Sequence, residues 1–524
     1  MPKETWSATS SRGEKGRALL PPQQEVIQPR ETTSSSPPQN SPDRLLKARI
    51  PFLLRYYDVN NSVLDLIPAL EAGQPKIAHS SVSACHLGEP VSGNLDATGT
   101  FLQESGLDEF IPIRRNIIDS NNYVTPDNTI NEFPKYQNSD ILSQRSRELT
   151  QELQPFAICT KSRANLKNAV DQALFSAANI RFFMHLYVQH HHKHCPIIHI
   201  PTYQAESASL PLLLATFLGG SMHSYPRDTW SLAVDCIDIA EAYMFSLPVF
   251  HADFQHNTIL DAEMLKNYEV LKAVIILLQL QIGRNDPHVR RRVRYQRLPV
   301  LLHAARSISL LSTRHECRSN ASEGSSWDAQ LESRLRTAHW IFLLDSEFMI
   351  SSRVPPITTI LESTADLPCN EMKFSGNEPS SISNVPRLPS LREAIDLLMD
   401  EAWDESNNLV FGGTGVFGLF VVISGLHQVM FSAIASRTIQ QISISIHRAL
   451  SRWKTLWEEM ISQTSNKEEM ESAGFMASAN EMWFVTKAIL QIDPEEYFGK
   501  FDGQSLQSFS KLFPSIIEMK NQED

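Results

Sequence analysis

The densest group of metal-capable side chains is the run His190-His191-His192-Lys193-His194-Cys195, with His199 just beyond it. A metal site needs deprotonated donors that converge on one point. Successive residues of a helix diverge by about 100° each, so at most His190 and His194 share a face. The run is expected to form the polar last turn of a helix, where imidazoles suit the negative terminus, with no more than weak capture of nickel or zinc. The stretch Phe411-Gly412-Gly413-Thr414-Gly415-Val416-Phe417-Gly418 has the glycine density of a phosphate loop. No Lys-Ser or Lys-Thr pair follows it and no clear strand precedes it. Its glycines are expected to turn the chain or to let two helices approach closely. No Gly-x-Ser-x-Gly elbow and no His-Glu-x-x-His pair is present, so no catalytic residues and no enzyme activity are expected.

Two charged features remain. Arg290-Arg291-Arg292-Val293-Arg294, with Arg297, could meet phosphates, but its interleaving with Val293, Tyr295 and Leu298 fits an amphipathic helix. On such a helix the arginine stems cover apolar surface while their heads stay wet, so a solvated or partner-contact face is expected rather than a DNA site. Asp345 interrupts an apolar stripe of Leu331, Leu335, Ala338, Phe342 and Met349. An unpaired buried carboxylate is expensive, so Asp345 requires a cationic or hydrogen-bonding partner, with Arg353 or an arginine from 290–297 as candidates.

The elements that must position these residues are helices. From about residue 162, Val170, Ala173, Leu174, Ala177, Met184 and Tyr187 recur at helical spacing, predicting one helix of about 25 residues that ends before Pro196 and Pro201. Apolar stretches follow at 207–222 and 229–247. Residues 266–282 are apolar all round, which predicts a helix buried on every side. Further helices are expected at 289–312, 327–352, 389–402, 414–460 with a break near 437, and 474–492. No hairpin signal interrupts them. The fold class is therefore all-α: a large irregular helical domain preceded by a disordered N-terminal region and a linker. Residues 1–46, rich in Ser, Thr, Pro and Gln, cannot bury enough apolar surface to offset ordering entropy and are read as disordered. Residues 47–160 are read as a partly ordered linker, 161–500 as the helical domain and 501–524 as a tail with a short helix.

With 42% hydrophobic residues in 524, a large core is available. The net charge of −12 argues against broad coating of nucleic acid, which needs clustered positive charge. The six cysteines lie at least 36 residues apart, so no C-x2-C knuckle exists, and scattered reduced core thiols are expected. The most membrane-like run, 416–434, is polar in its middle at Ser424, His427 and Gln428 and is read as a buried helix, with no membrane partner.

Within this pattern, Tyr187 to Tyr203, YVQHHHKHCPIIHIPTY, resembles the opening of the fungal-specific transcription factor domain, matching at Pro196, Ile197, His199, Pro201, Thr202 and Tyr203. Trp327, Glu332, Arg334, Arg336, Trp340 and Asp345 resemble that family's tryptophan–acid–arginine–aspartate segment, and Arg353, Pro355 and Leu367-Pro368-Cys369 continue the likeness. Residues 48–56, ARIPFLLRY, resemble the linker of members that carry paired Cys2His2 fingers. The resemblance implies a nuclear regulator of RNA polymerase II-type transcription, with a metabolic or secondary-metabolite gene cluster as a candidate target. It also implies partners among promoter DNA and other transcription regulators, with a homodimer as a further option. Zinc is expected in the family's N-terminal module, yet residues 1–47 contain neither cysteine nor histidine, so no cofactor is expected here. Either the N-terminal reading frame is incomplete, or the protein is a co-regulator that reaches DNA through a bound partner.

Overall fold

The computed structural model describes residues 139–224, 227–254, 261–284, 286–315, 328–376, 387–404, 406–463 and 473–493, with positions 470 and 497. The expectations for 1–46, for the motif at 48–56, for Trp327 and for the tail at 501–524 lie outside the described residues. Among the described residues there is no β-strand. Extended pairing is limited to two isolated bridges, Asp366 with Ser390 and Cys369 with Thr414.

The first described helix, α1 (Ser139–Cys159), lies in the stretch read as linker. Its Leu142, Leu149, Leu153 and Ala157 share one face by helical spacing and are buried in the core, so the helical body begins before residue 161. The single helix expected from 162 is instead two, α2 (Arg163–Asp171) and α3 (Ala177–Leu186). The chain breaks between them because local side chains satisfy the backbone there. Ser176 caps α3 by accepting from Asn179 N at 3.2 Å, and the Asn179 amide donates to the carbonyls of Ala173 and Leu174 at 3.1 and 3.0 Å. Ala173 takes a left-handed φ of 54°, and Val170, placed on the apolar stripe by spacing, is exposed.

Next come α4 (Leu210–Ser221), α5 (Asp228–Met244) and α6 (Asp261–Gly283). A Cβ on Gly220 would sit 1.8 Å from the Phe183 carbonyl oxygen, so α3 and α4 touch backbone to backbone and only glycine fits. The segment expected at 289–312 comprises α7 (Pro287–Arg292), a π-helical turn (Val293–Arg297) and α8 (Leu298–Ser307). Then follow α9 (Ala329–Ser352), the short α10 (Glu371–Phe374), α11 (Leu391–Met399) and α12 (Ser406–Val410). The chain closes with α13 (Val416–Ala435), α14 (Ile439–Gln463) and α15 (Ala479–Ile489). Arg437, at φ 60°, makes the break between α13 and α14.

By length and composition α13 could cross a membrane, but its most apolar window is 83% buried within the protein. Its polar residues are used inside: His427 Nδ1 meets Thr486 Oγ1 at 3.0 Å, and the Gln428 amide donates to the Thr358 carbonyl. The stacked pair Trp453 and Trp457 packs α14 against α13, with Trp453 Nε1 donating to the Leu419 carbonyl at 2.9 Å.

Candidate functional site

The long helix α9 carries a buried charge near each end. Near its start Arg336 is fully buried yet saturates its guanidinium. Nε donates to Glu332 at 2.9 Å, and one terminal nitrogen reaches Glu371 at 2.6 Å and the Pro196 carbonyl at 3.2 Å. The other donates to the Cys369 carbonyl at 2.9 Å, and the Phe374 ring covers the cation at 3.8 Å. The planar fork of arginine can serve several acceptors at once, which a lysine could not. Burial works against the charge, but Glu371 and Glu332 more than offset it, so the Arg336 pKa is raised.

Glu332 extends this clamp outward. Its Oε1 also accepts the Cys369 backbone N–H at 3.0 Å, and its Oε2 lies 3.5 Å from His315 Nε2. Burial alone would raise its pKa, but His315 and Arg336 hold it down to about 2. On the other side of His315 stands the buried Asp366, which accepts the His315 backbone N–H at 2.7 Å and pairs with Arg387 at 2.9 Å. Burial lowers the His315 pKa, but Asp366 and Glu332 outweigh it and raise it to about 9.

Near the other end of α9 the polarity is reversed, with the anion on the helix. Asp345 Oδ1 accepts from Arg294 at 2.6 Å; Oδ2 accepts the Ile357 and Thr358 backbone N–H groups at 2.6 Å and the Thr358 hydroxyl at 2.8 Å. Arg294 also donates to the Pro355 carbonyl. Arg294 is therefore the partner of Asp345. Arg353 ends α9 in a left-handed conformation and donates to the Tyr497 carbonyl instead.

The arginine run departs from the expected wet face. Arg290 pairs with Glu347 at 3.2 Å; Arg292 pairs with Asp238 at 2.6 Å and Glu241 at 2.9 Å; Arg297 pairs with Glu241 at 2.6 Å. Asp238 and Glu241 on α5 draw these heads inward. Only Arg291 of the run has no carboxylate partner among the described residues, and it lies over the exposed Tyr295 ring at 5.7 Å.

The histidine run diverges as well. Tyr187–His191 is a π-helical turn and His192–His194 a 3-10 turn, so the shared face expected for His190 and His194 is lost. The His190 ring stacks on His223 and the His194 ring on Phe475. Among the described residues no three His, Cys, Asp or Glu side chains are placed to hold a metal. His199 Nδ1 meets Thr202 Oγ1 at 2.9 Å, Tyr203 hydrogen-bonds Thr216 at 3.1 Å, and Pro201 opens the 3-10 turn Ile200–Thr202. In the glycine-rich stretch the Gly413 carbonyl accepts Asn370 N at 3.0 Å, and a Cβ on Gly415 would lie 2.8 Å from Asn370 Cα. These glycines let the entry to α13 lie against the segment that holds Arg336. A cleft of about 320 Å³, counted out to open solvent, borders this contact between Pro196, Glu371, Phe417 and Met476. The nearby thiols of Cys195 and Cys369 are pushed well up by burial and stay protonated, which leaves them poor nucleophiles.

Comparison with known proteins places these contacts. The family model for the fungal specific transcription factor domain matches residues 184–455, just over half of the chain. The chain belongs to this family. Transcription factor verF of Penicillium polonicum is 25% identical over 300 residues, which cover 54% of this chain and 41% of that relative. The matched region thus spans about two-fifths of the relative's length, and no solved structure matches. As a fungal specific transcription factor domain protein, the chain is a transcription regulator. The matched region holds both charged clamps and the Pro196–Tyr203 segment. Sequence reasoning singled out Arg336 and Asp345 but not Glu371, His315, Asp366 or Glu241, which complete their surroundings from distant parts of the chain.

Proposed function

We propose that this chain is a nuclear regulator of RNA polymerase II-type transcription, acting on a metabolic or secondary-metabolite gene cluster and catalysing no reaction itself. Its helical domain serves as a regulatory body rather than a DNA-reading surface. The observation that supports this most directly is the internal pairing of Arg290, Arg292, Arg294 and Arg297. A guanidinium bound to a buried carboxylate is not available for phosphate, and phosphate contacts dominate affinity for DNA. Deleting the gene and profiling transcripts tests the reading. A coordinated change confined to one gene set supports it; an unchanged transcriptome overturns it.

The same pairing, with a net charge of −12, favours a second reading in which the chain reaches promoters through a DNA-bound partner. A mobility-shift assay with the purified chain separates the two. Tight, sequence-specific retardation at physiological salt, with Kd near 10⁻⁸ M or below, would exclude the partner-only reading.

A further inference from the structure

Helix α6 is apolar on every side except at Lys272, which is 6% exposed. Tyr268 lies one turn earlier on the same face of α6, and the Arg334 guanidinium from α9 rests over that ring at 4.4 Å. Two cations from two helices therefore meet at one place. Among the described residues neither has an ion-pair partner, and the Arg334 Nε is buried without a hydrogen bond. The one acid nearby, Glu269, spends Oε2 on the Ser209 backbone N–H at 2.8 Å. The contrast with the rest of the molecule is sharp, since Arg290, Arg294 and Arg336 are equally buried and each is bound to a carboxylate.

Burial of an unpaired ammonium is costly enough that such groups are normally matched by an anion. We propose that Lys272 and Arg334, walled by the Tyr268 ring, form a binding site for a compact oxyanion, a phosphate or carboxylate group carried by a small metabolite. The planar guanidinium supplies paired donors and the ammonium a point charge, a combination suited to such oxygens. Burial pushes the Lys272 pKa down to about 8, partly restored by Glu269 and lowered again by Arg334; this is the response of a cation lacking a close anion. His199, in the Pro196–Tyr203 segment, feels the Lys272 charge, which links the place electrostatically to the region around Arg336.

The inference goes beyond the transcriptional reading and stands or falls on the purified full chain, so its failure would leave that reading intact. Thermal unfolding and calorimetric titration are run with inorganic phosphate and with succinate at fixed ionic strength, against potassium chloride. The expected result is a saturable rise in Tm of about 2–4 °C with at least one of the two, as binding to the folded state gives at tens of Kd. Response to phosphate alone marks a phosphoryl ligand, response to succinate alone a carboxylate ligand, and response to both a general oxyanion site. Lys272→Met, which keeps the apolar stem, is expected to retain the fold and abolish the rise; Arg334→Gln is expected to weaken binding at least tenfold. No saturable response, an equal response to chloride, or an undiminished response in both variants overturns the proposal.

Discussion

The two buried clamps on α9 solve one problem in opposite ways. Around Arg336 the helix supplies the cation and distant chain segments supply carbonyls and carboxylates. Around Asp345 the helix supplies the anion, and the segment after α9 supplies N–H groups while Arg294 supplies the charge. Both hold an extended, strand-free segment against α9, where no sheet ladder could satisfy its backbone. The difference lies in connection to solvent. Asp345 is closed in, whereas Glu332 continues through the half-buried His315 to Asp366 and the exposed Arg387 and Glu393. One clamp is sealed, and the other can respond to pH.

The largest effect is expected from Arg336→Met, which leaves Glu332 and Glu371 without their shared cation. Stability should fall by about 3–5 kcal/mol in urea unfolding. A loss below about 1 kcal/mol would mean that the carboxylates find water instead. Asp345→Asn keeps one acceptor and the side-chain shape but leaves Arg294 uncompensated, so a loss of about 2–3 kcal/mol is expected. If it exceeds the Arg336 loss, the ranking of the two clamps is reversed.

His315 gives the pH arm. Its proton is held more tightly in the folded state, with a pKa raised from 6.5 to about 9. Its contribution is therefore complete below about pH 6.5 and is lost as pH rises through about 9. Urea midpoints of the wild-type chain should decline over that interval, by about 1–2 kcal/mol after solvent screening, with a visibly flatter profile in His315→Gln. Parallel profiles would remove His315 from the account. The smallest effect sets the scale: Lys167 and Asp171 form an exposed i, i+4 pair at 3.0 Å, and Asp171→Asn should cost no more than about 0.5 kcal/mol.

Much of this architecture could be read from apolar spacing. The helices expected at 266–282 and 327–352, and at 414–460 with a break near 437, match α6, α9 and the α13–α14 pair, because long periodic runs leave few alternatives. The break at Ala173 escaped notice because the capping bonds of Ser176 and Asn179 compete with an otherwise continuous stripe. Helix α1 was missed because Leu142, Leu149 and Leu153 are set among Ser, Gln, Arg and Glu; their seven- and four-residue spacing was the available signal. The charges on apolar faces, Arg336 and Asp345, were visible, but Arg336 meets the Pro196 carbonyl across 140 residues of chain. Local pattern carries no information about such pairings. Lys272 was overlooked for the opposite reason, since the apolar run around it made its one charge easy to pass over.

The π-helical turn at Val293–Arg297 has a consequence for how this sequence can change. A π turn holds one residue more than the α turn it replaces, so removing one residue there restores regular winding. Everything downstream would then swing about the axis by about 100° relative to what precedes it. Arg290 and Arg292 would keep their acids while Arg297 and the buried face of α8 turned elsewhere. The segment should accept many side-chain exchanges and yet reject a single-codon deletion, so its length is constrained more tightly than its composition.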